Sequence, residues 1–166
     1  MLRRKGLALS LGLVLLIALA VAPAFAATSD SGSHNVTFSN KATIDLTLSG
    51  GNYAFGDVDP VASPFTSAND VLTANVKCNS GWTLKVKGDT NFVSGANNIP
   101  IGRLAWDKDD GASWDAMTTT DATVATGTKT ASSGVDTKTE YRLSIDYNDD
   151  VADGYSAAIT YTATTP

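Results

Sequence analysis

Few side chains in this sequence could perform acid–base or nucleophilic chemistry. His34 is the only histidine and Glu140 the only glutamate, and we expect Glu140 to be solvated on a strand. The remaining acidic residues are aspartates concentrated in turns, where Asp commonly caps its own backbone. One histidine builds neither a metal site nor a Ser-His-Asp triad, and no nucleophile, base and orienting group occur together. The sequence therefore predicts a protein that is not an enzyme.

Two oxygen-rich loops could bind calcium, which takes about six to eight hard oxygen ligands. One loop is Asp107–Gly111 and the other runs from Asp146 to Asp153. The second loop is the better candidate, and its ligands would be Asp146, Asn148, Asp150 and Asp153. Neither loop has the spacing or the final Glu of an EF-hand. The spacing therefore favours the alternative, which is hairpin turns with a solvated acidic face. No other cofactor is predicted.

The three tryptophans could either pack in a core or stack on sugar rings. Trp82 is in phase with Leu84, which favours a core position. Trp106 and Trp114 flank the first acidic loop, so partial exposure and a role as a carbohydrate platform remain open for these two residues.

The elements that must position these residues are strands. In the stretch Asn79–Gly88 a polar turn leads into alternation, with one face formed by Trp82, Leu84 and Val86 and the other by Thr83, Lys85 and Lys87. Similar patterns predict strands over 42–48, 53–58, 70–78, 101–106, 122–126, 138–147 and 155–164. The inward positions include Ile44, Leu46, Leu48, Tyr141, Leu143, Ile145 and Tyr147.

No part of the chain after the leader shows helical periodicity, and turn signals recur at the spacing of a sandwich. We expect residues 89–98 to be irregular. The sequence therefore predicts an all-β fold, an antiparallel Ig-like β-sandwich with about seven to nine strands.

The first 26 residues match a cleaved signal peptide. Residues 3–5 are basic, residues 7–21 are apolar, and Ala24-Phe25-Ala26 places small residues at the cleavage site. We expect a secreted protein located outside the cell, at its surface or in its wall. Residues 27–40 are predicted to be a flexible N-terminal segment or a donor strand, and residues 41–166 the sandwich domain.

The charge of the secreted product limits its partners. Removing the leader leaves 140 residues with 9 basic against 17 acidic side chains, a net charge of −8. An acidic chain without a basic cluster argues against nucleic acid and against anionic membrane surfaces as partners. The single cysteine, Cys78, cannot form an internal disulfide, and its strand phase predicts a buried, inert thiol. An intermolecular disulfide is the alternative.

At Gly81-Trp82-Thr83-Leu84 the chain resembles the WxL-domain family of secreted bacterial surface proteins. Tyr53–Val58 is similar to the first strand of that family, and Asp70–Val76 precedes the motif as it does there. Gly154–Thr162 is similar to the strand that carries the second Trp-x-Leu, with Tyr161 standing at the position of the tryptophan. The resemblance covers about Leu46–Thr164. It implies non-covalent attachment to the Gram-positive cell wall through peptidoglycan, and makes Trp82, Leu84 and Tyr161 motif positions.

Two functions are consistent with these features. The first is a non-catalytic β-sandwich module at the cell wall or surface, acting in adhesion or display, with peptidoglycan, wall polysaccharide or other surface proteins as partners. The alternative is a self-assembling extracellular fibre subunit, a pilin or biofilm-matrix protein. In that case the alternating residues Val36 and Phe38 would be donated as a strand to a neighbouring copy.

Overall fold

Strands form almost all of the regular structure, because the alternating segments of the sequence pair along their length. The computed structural model describes residues 31–108 and 113–166. Its strands are β1 (Ile44–Ser49), β2 (Phe65–Thr66), β3 (Leu72–Cys78), β4 (Trp82–Gly88), β5 (Phe92–Ser94), β6 (Asn97–Ile99), β7 (Leu104–Asp107), β8 (Asp115–Ala116), β9 (Ala122–Gly127), β10 (Val135–Leu143) and β11 (Ile159–Thr164). Short 3-10 turns lie at Pro60–Ala62 and Ile101–Arg103.

The strands make two main antiparallel sheets. The first has the order β1-β3-β10-β7-β8, with β2 also paired to β10, and the second has the order β11-β4-β9. Strands β5 and β6 form a separate hairpin. Seven of the eleven strands in the described residues have four or more residues. The prediction of an all-β antiparallel sandwich is confirmed, and the additional strands are pieces of two or three residues.

The core lies between the two main sheets. On β4 the alternation is strict, with Trp82 4%, Leu84 0% and Val86 1% exposed. The cluster is completed by residues of other strands and of two connecting segments, namely Ala74, Val76, Cys78, Ile101, Leu104, Trp106, Met117, Val124, Tyr141 and Tyr161. The predicted burial of Cys78 is confirmed, since it is 4% exposed. Burying this apolar surface supplies the main driving force for folding, at about 25 cal/mol per Å².

The strand predicted over Tyr53–Val58 is wrong, because this segment has no strand structure. Gly56 has a φ of 73°, a left-handed conformation that interrupts an extended run. The Tyr53 and Phe55 rings instead meet edge to face with centroids 5.0 Å apart. Phe55 packs on the core while Tyr53 is 41% exposed. The segment is therefore a loop, and one of its two aromatic rings, that of Phe55, packs on the core.

Strand β10 ends earlier than its alternating pattern indicates. The chain turns after Leu143, and Asp149 N donates to Asp146 O at 3.1 Å inside the turn. The prediction that Tyr147 faces inward is wrong, since it is 79% exposed. Leu48 is also not covered as predicted: it lies on the inward side of edge strand β1 but is 43% exposed.

Residues 89–98, predicted to be irregular, contain most of the β5–β6 hairpin. Phe92 pairs with Ile99 and Ser94 with Asn97. Gly95 has a φ of 59°, which suits the tight two-residue turn between these strands. The prediction for this segment was wrong because the two strands are too short to show a period.

Ser39–Pro166 forms one compact unit, and residues 31–38 belong to a separate one. The signal-peptide prediction for residues 1–26 lies outside the described residues. None of the helical turns in the described part of the chain has the length or apolar character of a membrane-spanning helix.

Candidate functional site

The Trp82 motif is part of the core. Trp82 lies opposite Gly127 of β9, and its indole occupies the space that a side chain at Gly127 would take. Within the described residues the buried Trp82 Nε1 has no hydrogen-bond partner. Leu84, the other motif residue, is fully buried. A buried side chain presents no surface to a ligand. These two residues therefore pack in the core and hold the sandwich together. The core interpretation of Trp82 is confirmed.

The other two tryptophans have different environments. Trp106 is 3% exposed and belongs to the core, so it cannot serve as a sugar platform. Trp114 is half-buried, and the Arg142 guanidinium carbon lies 4.7 Å from its ring centroid, which is cation–π geometry. One face of Trp114 is therefore already covered by a cation. The structure does not bring Trp106 and Trp114 together as a paired surface.

Tyr161 joins the two sheets through buried hydroxyl groups. Its hydroxyl lies 2.9 Å from Thr139 Oγ1 and 3.1 Å from the Tyr141 hydroxyl. Tyr161 belongs to β11, whereas Thr139 and Tyr141 belong to β10 of the other sheet. Burial raises the pKa of both tyrosine hydroxyls, so the network stays protonated. A tryptophan at this position has a donor but no acceptor, and could not take part in the network in the same way.

Replacing Tyr161 with phenylalanine tests this network. We expect Tyr161→Phe to lower the free energy of unfolding by about 1–2 kcal/mol, because it removes two buried hydrogen bonds while keeping the ring. Denaturant unfolding measures the change. Tyr147→Phe is the matched control, and we expect no measurable effect there because Tyr147 is 79% exposed. Equal stability of Tyr161→Phe and the parent protein would contradict the role of the network.

The acidic loop after β10 is organised around the guanidinium group of Arg103. Arg103 Nη2 lies 2.6 Å from Asp146 Oδ2 and 3.1 Å from Asp149 Oδ1. Asp146 Oδ1 accepts from the Asn148 backbone N–H at 2.8 Å, and Asp149 Oδ2 accepts from the Asp146 N–H at the same distance. The two carboxylates are thus already hydrogen-bonded.

The predicted calcium ligands are not gathered into a site. Within the described residues no group of three or more His, Cys, Asp or Glu side chains is arranged to hold a metal ion. Asp146, one of the four predicted ligands, is directed at Arg103 and is already paired with a cation of the protein. The alternative loop, Asp107–Gly111, lies partly outside the described residues.

The Asp146 contacts give a prediction for acid sensitivity. The backbone hydrogen bond from Asn148 and then the Arg103 side chain lower the pKa of Asp146 below its ordinary value of 3.8. A lowered pKa in the folded state contributes stability above pH 3.8, and this contribution is lost as the pH falls through the lowered pKa. We therefore expect Asp146→Asn to weaken the pH dependence of the unfolding midpoint between about pH 5 and 2.

Unfolding curves over this pH range measure the effect. Asp153→Asn is the matched control, because its carboxylate is not one that Arg103 binds. Identical pH profiles for the two variants would contradict the proposed contribution of Asp146.

Two buried acids were not foreseen from the sequence. Glu140 is 3% exposed, so its predicted solvation is wrong, and it lies opposite Asp107, which is 2% exposed, in the β10–β7 pair. Asp107 Oδ1 accepts from the Lys108 N–H at 2.7 Å and Oδ2 from the Ser113 N–H at 3.3 Å. Asp107 therefore ties together the two described ends of the loop between β7 and β8. Burial of Glu140 follows from its strand being central in the sheet.

The outer surface of the three-stranded sheet is lined with hydroxyl groups. Thr83, Lys85 and Lys87 alternate with the buried residues of β4, and their cross-strand partners on β11 are threonines. We define the threonine face as Thr83, Lys85, Lys87, Thr123, Thr126, Thr160, Thr162 and Thr164. The lysines are neutralised locally, since Lys85 pairs with Asp121 at 3.7 Å and Lys87 with Asp89 at 3.6 Å. The alternation of threonine along β11, at Thr160, Thr162 and Thr164, was the sequence signal for this surface.

The candidate donor residues lie in an extended segment. Residues 31–43 contain no strand, turn or bend, and Val36 and Phe38 are 79% and 89% exposed. Beyond them, Asn79 holds the start of the sandwich: its Nδ2 donates to Lys41 O at 2.7 Å and its Oδ1 accepts from the Thr43 N–H at 2.8 Å. Val36 and Phe38 are therefore large apolar side chains without cover.

Three long strands pair on one side only within the described residues, namely β1, β9 and β11. Strands β9 and β11 have no charged residue, and β1 has only Asp45. Natural edge strands usually carry lysine, proline or a bulge that prevents pairing with another chain. The sequence of β1 has none of these protections, whereas the β4–β9 pair contains a register shift at Leu84/Lys85.

The chain matches no protein-family model, no curated protein and no solved structure. The resemblance to the WxL-domain family therefore rests on the residues given above. One of its expected strands, Tyr53–Val58, is a loop in this structure.

Proposed function

We propose that this protein is a non-catalytic, secreted β-sandwich module that associates with the bacterial cell wall or surface, in adhesion or display. The observation that carries the proposal is the threonine face, a surface of hydroxyl groups with two lysines on the three-stranded sheet. Hydroxyls both donate and accept hydrogen bonds, so such a surface complements the hydroxyl and amide groups of wall polysaccharide and peptidoglycan. The leader sequence and the resemblance at Gly81–Leu84 support the same location.

The motif residues have a structural part in this proposal. Trp82, Leu84 and Tyr161 are each less than 10% exposed, so they hold β4 and β11 together. Their alternation places the threonines of the same strands on the outside. The motif would therefore mark the sheet that carries the binding surface, without itself touching the ligand.

Sedimentation with purified Gram-positive wall sacculi tests the proposal. We expect the protein to pellet with sacculi, and the double variant Thr83→Val/Thr162→Val to pellet several-fold less, because valine keeps the shape of threonine and removes its hydroxyl. The matched control is Thr47→Val/Thr73→Val on the first sheet, which should pellet like the parent protein. Failure of the parent protein to pellet would overturn wall binding, and equal loss in both variants would remove the threonine face from it.

A second function is favoured by two separate observations, the exposure of Val36 and Phe38 and the presence of unprotected edges in the sheets. An extracellular fibre subunit would use such a segment to join copies by strand donation, since backbone hydrogen bonds supply affinity and alternate side chains supply fit. Electron microscopy of the purified protein distinguishes the two candidates: filaments support the fibre subunit, and single particles support the wall-associated module.

A further inference from the structure

We propose that residues 35–39 of one copy add as a strand to the free edge of β1 in a second copy, with Val36 and Phe38 covering Leu46 and Leu48. This inference rests on the second function above and specifies its acceptor. The segment that binds comes from another copy of this chain, and it binds at the β1 edge of the first sheet.

Within the described residues, β1 pairs with no strand other than β3, so one of its edges carries backbone groups that no strand pairs with. Asn79 N donates to Thr43 O at 3.3 Å, immediately before the register pair Ile44–Cys78. Alternate residues of an antiparallel strand direct their backbone N–H and C=O groups to the same neighbouring strand. In β1 the backbone groups of the odd-numbered residues therefore point to β3. The N–H and C=O groups of Leu46 and Leu48 therefore point away from β3.

The side chains distinguish β1 from the other two open edges. On β9 the inward residue Val124 is 2% exposed, and on β11 Tyr161 is 7% exposed, so both edges already have covered apolar side chains. On β1 the inward side chain of Leu48 is 43% exposed. An added strand at β1 would thus satisfy backbone groups and cover apolar surface together.

The N-terminal segment has the matching pattern. Val36 and Phe38 are two residues apart, as are Leu46 and Leu48, so each pair occupies one face of its strand. Five extended residues span about 17 Å, similar to the length of β1. Aromatic and aliphatic side chains directly opposite each other are favourable cross-strand neighbours. The segment carries no charge that pairing at this edge would bury.

The connection between the segment and β1 is extended and does not have the form of a hairpin turn. A hairpin between them would require a turn in residues 40–43, but these residues contain no turn or bend. Asn79 binds Lys41 O and the Thr43 N–H, which keeps this connection extended. Donation to a second copy uses different surfaces on the two partners, and such a head-to-tail contact repeats into a chain when it does not close into a ring.

Charge insertion on each partner tests the contact in the full chain. Phe38→Lys blocks the donor and Leu48→Lys blocks the acceptor, because each places an ammonium group in the apolar contact. The matched controls, Thr37→Lys and Thr47→Lys, add the same charge on the opposite face of the same segment. Sedimentation velocity and electron microscopy measure the assembly. We expect the parent protein and both controls to form chains, and both blocked variants to remain monomers.

Mixing the two blocked variants gives the decisive result. The Leu48→Lys copy retains its donor and the Phe38→Lys copy retains its β1 edge, so an equimolar mixture should give dimers and nothing longer. A mixture that stays monomeric, blocked variants that assemble like the parent protein, or a parent protein that is monomeric at all concentrations would each overturn the proposal. Phe38→Lys alters an exposed segment, so its result stands even if Leu48→Lys folds poorly.

Sedimentation with sacculi separates this inference from the wall-associated function. A monomeric parent protein that still pellets with sacculi would overturn strand donation and leave wall binding in place. Chains that do not pellet would overturn wall binding and leave strand donation in place.

Discussion

Trp82→Ala is expected to lower the free energy of unfolding by about 3–5 kcal/mol. Trp82 is 4% exposed at the start of β4, the central strand of the three-stranded sheet, and its indole packs over Gly127. Truncation removes the buried ring and leaves a cavity that neighbouring strands cannot fill without losing their register. Denaturant unfolding of the full chain measures the change.

Trp82→Phe separates packing from hydrogen bonding at this position. Trp82 Nε1 has no hydrogen-bond partner within the described residues, so the change to phenylalanine removes buried side-chain volume but no hydrogen bond. We expect about 1–2 kcal/mol of destabilisation, well below the alanine value. Trp114→Ala is the matched control, because Trp114 is only half-buried. A loss of sacculus binding in Trp82→Phe without any loss of stability would contradict the core role and indicate a ligand contact.

Gly127→Ala is expected to destabilise the protein by about 2–3 kcal/mol, although it adds a single methyl group. A Cβ at this position would lie 2.5 Å from Cε2 of Trp82 and 2.6 Å from Cζ2 and Nε1. These atoms belong to a rigid ring held in the core, so the ring or the edge strand β9 must move. Thermal and denaturant unfolding measure the cost.

A double-variant cycle identifies the ring as the cause. In Trp82→Leu/Gly127→Ala the smaller side chain leaves room for the methyl group, so the combined loss should be clearly less than the sum of the two single losses. Gly102→Ala is the matched control, since the nearest atom there is Met117 O at 3.8 Å, and its stability should be unchanged or slightly raised. Additive losses in the cycle would contradict direct contact between Gly127 and Trp82.

The alternation of apolar and polar residues predicted the strands that carry the core of the fold. Alternation around Trp82 and Leu84 identified β4 and its buried face, and the same rule placed β3, β9 and the buried part of β10. Alternation is a local property of extended chains and needs no knowledge of the neighbouring strand. The all-β class and the core position of Trp82 could therefore be predicted from the sequence.

Other features depend on which strands become neighbours. Glu140 is buried because β10 is central in its sheet, Tyr161 meets Thr139 across the two sheets, and Gly127 lies opposite Trp82. Arg103 pairs with Asp146, which is 43 residues away in the sequence and was predicted as a calcium ligand. None of these partners is close in sequence, so no periodicity predicts them.

The sequence by itself determined the fold class and the face that each main strand turns to the core, because side chains alternate along any extended chain. Only the tertiary structure decided which strands lie at the edges, which tryptophan is covered, and that Val36, Phe38 and Leu48 remain exposed. Pairing and burial arise from contacts between distant segments, and those contacts exist only after the chain has folded.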